Sequence, residues 1–264
     1  MKLPLISLVR SILRDGPIIG YRPYLKYRLQ SARQTNALMQ VSVNGQRIWV
    51  RPGTPDLRVA FQSLRSEFDI LSHLLPKDYA GIIIDAGGYI GTAALKLAAM
   101  YPNATVITIE ASSRNFAVLE RNVAGRTNIV PINAALHSIE DLSFDLVDRG
   151  TGAWGFSIAT GDAGKPVLES VSTVTLQQIM RRFPDMPIGI VKMDIEGGEH
   201  ALFSTYDKAL EQVDAVFVEL HDRIVPGCTE LFHAFSRDRW LLNAGGEKFL
   251  SLRRNNASVA AGTA

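Results

Sequence analysis

The sequence predicts an α/β fold in three layers, a parallel sheet covered by helices on both faces, preceded by an N-terminal helix and hairpin extension. Three observations predict it. From residue 81 short apolar runs alternate with helical stretches, the pattern of strands buried on both sides. The first run, Ile82-Ile83-Ile84-Asp85, leads into the glycine-rich turn Ala86-Gly87-Gly88-Tyr89-Ile90-Gly91 and then a helix. Composition allows a large core: 264 residues, 47% hydrophobic and 20% charged, describe a globular chain with room for one large domain and an appendage.

Taken in order, Leu5, Leu8, Val9 and Ile12 recur at helical spacing among basic residues and predict a short amphipathic helix. A secretory signal fits poorly, because Pro4 and Ser7 interrupt the apolar stretch and no small-residue cleavage site follows. Val41–Val50 alternates on both sides of Asn44-Gly45, a strong hairpin signal. Asp56–Leu75 reads as one helix with Phe61, Leu64, Phe68, Leu71 and Leu75 on its apolar face. Strands are expected at Ile82–Asp85, Thr105–Ile109, Asn128–Ile132, Ile188–Met193 and Ala215–Leu220, with short ones at Trp240–Leu242 and Lys248–Leu252. Helices are expected at Thr92–Met100, Ser113–Val123, Leu176–Arg182, Gly198–Tyr206 and Phe232–Arg237, and a hairpin is inserted between Phe144 and Ile158. The extension is taken as residues 1–54, the main domain as 55–252 and a flexible tail as 253–264.

Charge is uneven. Residues 1–40 hold seven basic groups and one acid, a balance of +6, whereas the remainder holds 21 basic and 25 acidic groups, a balance of −4. That argues for no nucleic acid as a partner of the main body and for peripheral membrane contact, or packing on protein, through residues 1–40. A single cysteine, Cys228, excludes a disulfide framework and any multi-cysteine metal site, and makes the cytoplasm the default compartment. No uncharged run reaches the roughly 18–20 residues that cross a bilayer, since Asp85 and Lys192 interrupt the best two.

The turn Asp85–Gly91 carries the first chemistry. Its glycines let backbone N–H groups approach a ligand, and the spacing suits either a dinucleotide or an adenosyl cofactor. Asp85 separates them, because a carboxylate at the strand tip is awkward beside pyrophosphate but suits the ammonium of a methionine moiety. Glu110 ends the next strand, where a carboxylate can accept hydrogen bonds from both ribose hydroxyls.

With these residues the chain resembles the FkbM-type S-adenosylmethionine-dependent methyltransferases, of the seven-strand Rossmann-like methyltransferase class. The resemblance spans about residues 50–250 and rests on Arg51–Asp56, Asp85–Gly91, Ile109-Glu110, Asn133–Leu136 and above all Val191–Glu199. It implies S-adenosylmethionine as cofactor, held by Asp85, Gly87, Gly91, Glu110, Asn133 and Ala134, the last two beside adenine. It also implies a small-molecule or glycan acceptor methylated on a hydroxyl. Gly88 stands where Ala or Cys is common in the family, a change between small residues.

Asp194, Glu196 and Glu199 form the densest acidic cluster, at a strand-to-helix junction on the ligand-binding edge of such sheets. Glu196 and Glu199 can oppose the helix macrodipole, whereas Asp194 at the strand tip faces the reaction centre. Lys192 is expected on the other face or paired with an acid. His221 ends the next strand and is the expected general base, so Asp194, Glu196 and His221 form the catalytic set. A divalent metal held by Asp194, Glu219 and His221 is the alternative. His73, His137, His200 and His233 read as packing, surface or supporting residues, Cys228 as an inert hydrophobe, and Trp154 as either a lid or a plug. Rival functions are an NAD-dependent oxidoreductase, which lacks a Tyr-x-x-x-Lys pair here, and a non-catalytic binding module; a homo-oligomer is compatible with all three.

Overall fold

Burial on both faces is what selects a central sheet here: β3 (Ile82–Ala86) and β10 (Ile188–Met193) are buried at every position, and β4 (Thr105–Glu110) and β11 (Ala215–Glu219) at all but one. The computed structural model describes residues 5–33, 37–148, 156–157, 167–205 and 208–254. In the extension, helices α1 (Leu5–Ile19) and α2 (Tyr21–Ala32) replace the single helix expected, with Gly20 at φ 88° between them. Ile19, Tyr24 and Tyr27 join the main core, and the Tyr24 hydroxyl donates to Asp15 at 3.2 Å. Tyr24 and Tyr27 of this basic segment therefore pack on protein, while Tyr21 is exposed.

Strands β1 (Met39–Val43) and β2 (Gln46–Val50) form the expected hairpin, with Asn44 and Gly45 at φ 49° and 77°, the backbone that an Asn-Gly turn favours. The helix expected over Asp56–Leu75 breaks. Helix α3 (Asp56–Arg65) ends at Ser66, and a 3-10 turn at Asp69–His73 follows. The break lets Phe68 reach the sheet, where its ring meets Phe217 edge-on with centroids 6.0 Å apart.

The main domain continues through α4 (Thr92–Met100), α5 (Ser113–Val123) and β5 (Ile129–Asn133). An insertion holds β6 (Ala135–Leu136), β7 (Ser143–Asp148), β8 (Phe156–Ser157) and β9 (Val167–Val174), followed by α6 (Leu176–Arg182). After β10 come α7 (Gly198–Ser204), α8 (Lys208–Gln212), β11, α9 (Cys228–Phe235), β12 (Arg239–Gly245) and β13 (Lys248–Arg253). The seven-stranded sheet has the order β12-β13-β11-β10-β3-β4-β5, parallel except for β13, which is antiparallel to both neighbours.

Two cores lie on opposite faces of this sheet. Ile83 and Ile190 face α3, α4, α5 and the hairpin, while Ile82, Ile84 and Val191 face α6, α7, α8 and α9. The fold is thus α/β in three layers, Rossmann-like, with seven strands. Chain order reverses between β3 and β10, which opens a crevice at their carboxyl ends.

The insertion is more than a hairpin, for β9 pairs with both β6 and β7 in a second sheet of order β6-β9-β7-β8. Trp154 and the expected tail from Asn255 lie outside the described residues.

Candidate active site

Glycines in the turn after β3 are dictated by its neighbours. A Cβ on Gly87, whose φ is 78°, would lie 1.8 Å from the Asp194 carbonyl oxygen. One on Gly88 would lie 2.3 Å from Thr108 Oγ1 and 2.8 Å from Leu119 Cδ1, so here the change from Ala or Cys is not neutral: those two side chains already fill the space.

Asp85 is fully buried behind this turn and does not line the crevice. Its Oδ1 sits 3.0 Å from Lys192 Nζ, and Thr108 Oγ1 donates to its Oδ2 at 3.0 Å. Lys192 also donates to the Gly87 carbonyl at 2.9 Å, so it is paired with an acid as expected and pins the turn from below. Burial opposes the ammonium charge, but Asp85 and Asp194 outweigh it and its pKa is raised.

Glu110 does line the crevice. Its Oε2 accepts from the Tyr89 backbone N–H at 2.8 Å, and its Oε1 from the Ser112 N–H at 3.0 Å and Asn115 Nδ2 at 3.3 Å. Burial nevertheless pushes the carboxyl up to about 7. Asn115 Oδ1 in turn accepts from Arg51 Nη1 at 2.9 Å, and Arg51 forms a bidentate pair with Asp56 at 2.9 Å on each arm. The Tyr89 hydroxyl donates back to Asp56 and closes the ring. Arg51, Asp56, Tyr89 and Asn115 were missed as site residues; the five-residue spacing of Arg51 and Asp56 in a proline-rich turn was the available signal.

Asn133 behaves differently from expectation. Its Nδ2 donates to the carbonyls of Glu110 at 2.8 Å and Ala111 at 3.0 Å, so it braces the loop after β4 and leaves Ala134 on the wall. Gly91, at φ 82°, starts α4 against Leu119 and Val123 and does not line the crevice.

Beyond β10, Asp194 and Glu196 line the crevice and His221 stands behind them, 1% exposed. His221 Nε2 is 3.6 Å from Asp194 Oδ1 and 3.8 Å from Glu196 Oε2, while Nδ1 lies 2.9 Å from Glu199 Oε1. Glu199 also accepts from the Ile195 and Gly197 N–H groups at 3.1 and 2.8 Å, so one buried carboxylate both caps the loop and orients the imidazole. Burial alone would lower the His221 pKa, but Glu199, Asp194 and Glu196 together raise it to about 9. The three carboxylates thus favour the protonated imidazole. Burial likewise raises Glu196 to about 7, despite nearby His221. Ligand atoms of Asp194, Glu196 and His221 lie within 4.8 Å of one another; Glu219 groups with His221 and Glu247.

The crevice holds about 460 Å³, with Gly87 at the end of β3, Glu110 and Ala134 on one side of that strand and Lys192, Asp194 and Glu196 on the other. Residues read as bystanders stay so: His137 packs on Phe144, His233 on Phe249, and the buried Cys228 thiol is pushed up to about 11 by burial. Among the described residues no helix is long and apolar enough to cross a membrane.

A comparison with curated proteins gives no match. Among solved structures the chain is similar to a protein proposed to be a caffeoyl-CoA O-methyltransferase from Staphylococcus aureus, at 10% identity and TM-score 0.45, over 72% of this chain and 83% of that one. It is similar to Methanococcus jannaschii fibrillarin, a pre-rRNA processing protein, at 13% and 0.41, over 82% of each chain. It is also similar to P. horikoshii TYW2 in complex with MeSAdo, at 13% and 0.42, over 83% of this chain and 70% of that one. The expectation of no nucleic acid as a partner is withdrawn: the solved structures to which the chain is similar include one named for an rRNA methylase and the pre-rRNA processing protein above. Residues 85–245, more than half of the chain, match the Methyltransferase FkbM domain, and the chain belongs to that methyltransferase family.

Proposed function

We propose that the protein transfers a methyl group from S-adenosylmethionine to a hydroxyl of a sugar, glycan or secondary metabolite. The observation that carries this reading is the placement of Glu110 at the end of β4 and of Asp194 just beyond β10, the two strands flanking β3, so that both face one crevice at the switch point, with His221 and Glu199 buried behind Asp194. The residues suit the cofactor. Glu110 is a buried carboxylate on the wall, beside Ala134, Leu136 and Leu146, which offer an apolar surface to a base. When bound, the cofactor supplies a sulfonium methyl as electrophile.

The chain's own part is to hold and align. Glu110 accepts from ribose hydroxyls, and the Gly87 backbone, held by Lys192, lets the ligand approach closely. Asp85 acts through Lys192 as a positioning residue. Asp194 touches the acceptor: its carboxylate aligns the hydroxyl and takes its proton as the oxygen bonds to the methyl and the methyl–sulfur bond breaks to leave S-adenosylhomocysteine, while His221 and Glu199 fix that carboxylate from behind. Calorimetry with S-adenosylhomocysteine tests the cofactor half. Glu110→Ala, by removing one or two charge-assisted hydrogen bonds of about 1.5–3 kcal/mol each, weakens binding about tenfold or more; an unchanged affinity, or tight NAD binding in its place, ends this reading.

A second reading has an observation of its own. The convergence of Asp194, Glu196 and His221, with Glu199 on the far imidazole nitrogen, matches the carboxylate–histidine support found behind metal ligands. An oxygen-preferring dication there would lower the pKa of the acceptor hydroxyl. Asp194→Asn lowers turnover by about 100-fold on either reading while leaving cofactor affinity within a few-fold. Chelation mimics it, with rescue by magnesium, only if the metal is used.

A further inference from the structure

A second cavity, of about 560 Å³, lies between the helix pair and α3. Four guanidiniums line it, Arg14 from α1, Arg28 from α2, and Arg58 and Arg65 from α3, against one carboxylate, Asp15. Asp15 is engaged by Arg14 at 2.7 and 2.9 Å and by Tyr24 at 3.2 Å, so the charges of Asp15 and Arg14 offset one another and Arg28, Arg58 and Arg65 leave the groove cationic. Arg58, Gln62 and Arg65 recur at i, i+4 and i+7, which puts them on one face of α3. Arg58 and Gln62 line the active-site crevice as well, so the two cavities adjoin along that face.

We propose that this groove binds a phosphoryl group of the acceptor, which makes the acceptor a phosphorylated glycoside. The inference deepens the methyltransferase reading and rests on it. Guanidinium offers planar, paired donors that match phosphate oxygens, and several guanidiniums with a single compensated acid form an anion site of high local potential. Continuity through Arg58 and Gln62 lets one acceptor place its phosphate in the groove and its hydroxyl beside Asp194. The +6 balance of residues 1–40 then has a use at the active site.

The test is calorimetry on the full chain with pyrophosphate, glucose 1-phosphate and glucose, each with and without S-adenosylhomocysteine, and co-sedimentation with phosphatidylglycerol vesicles. Pyrophosphate and glucose 1-phosphate should bind and glucose should not, with affinity falling as salt rises. The double variant Arg28→Gln/Arg65→Gln should weaken both phosphates about tenfold while its S-adenosylhomocysteine affinity stays within about twofold. If that variant does not fold, Arg65→Glu on the exposed face of α3 gives the same reading. Phosphate affinity that is absent, or unmoved by the variants, overturns the groove. So does vesicle binding that the variants abolish while free phosphates fail to bind, which would make the surface a membrane contact. Loss of S-adenosylhomocysteine binding with variant-sensitive phosphate binding would instead remove the methyltransferase reading and leave the groove standing.

Discussion

Glu110 sits where two demands conflict. Its oxygens accept three N–H donors, yet burial holds its carboxyl near 7. Because the folded-state value lies above the unfolded one, the group favours folding fully at pH below about 4.5 and loses that contribution as pH rises through about 7. The loss is at most about 3 kcal/mol. Glu110→Gln should therefore flatten the fall in thermal midpoint between about pH 5 and 8, and a variant with the wild-type slope would show that Glu110 is ionised throughout. Individual residues were only partly legible. Strand-tip position correctly brought Glu110, Asp194 and Glu196 to the crevice, but it fixes depth along the sheet and not the partner that turns a side chain away. Asp85 turns to Lys192, Asn133 to two carbonyls, and His221 to Glu199, all contacts that span 22 residues or more.

Elements with strong local signals were legible nearly to the residue. Helix α5 starts at the Ser112 cap, and α6 at a capping box of Thr175 and Gln178. Where local and tertiary demands diverged, the reading failed: α3 breaks so that Phe68 can meet the sheet, and β9 is a half-exposed strand rich in serine, with no continuous apolar face to announce it. The ring linking α3 to the turn after β3 belongs to this scale, since it joins Arg51 and Asp56 before and in α3 to Tyr89, Asn115 and Glu110. Asp56→Asn leaves Arg51 buried without its full partner, at a cost of about 3–5 kcal/mol. Denaturant unfolding should record that loss, and calorimetry should record weaker S-adenosylhomocysteine binding. Stability near wild type would mean that water replaces the carboxylate and the ring is not a structural clamp.

At the scale of the molecule, the alternation of strands and helices foretold a parallel sheet with two covered faces, and two separate cores now occupy those faces. The second sheet and the cavity under the helix pair were not legible, because both arise from contacts between segments that carry ordinary local patterns. One seam joins the halves of the site. Asp194 N–H donates to the Ala86 carbonyl at 3.0 Å, and Gly87 packs against the Asp194 carbonyl too closely for any side chain to stand between them. Descendants of this chain consequently inherit that contact unchanged. The seam tolerates no side chain at Gly87, so drift is channelled into the inserted sheet and helices α1 to α3, where a changed residue leaves the two strand ends together.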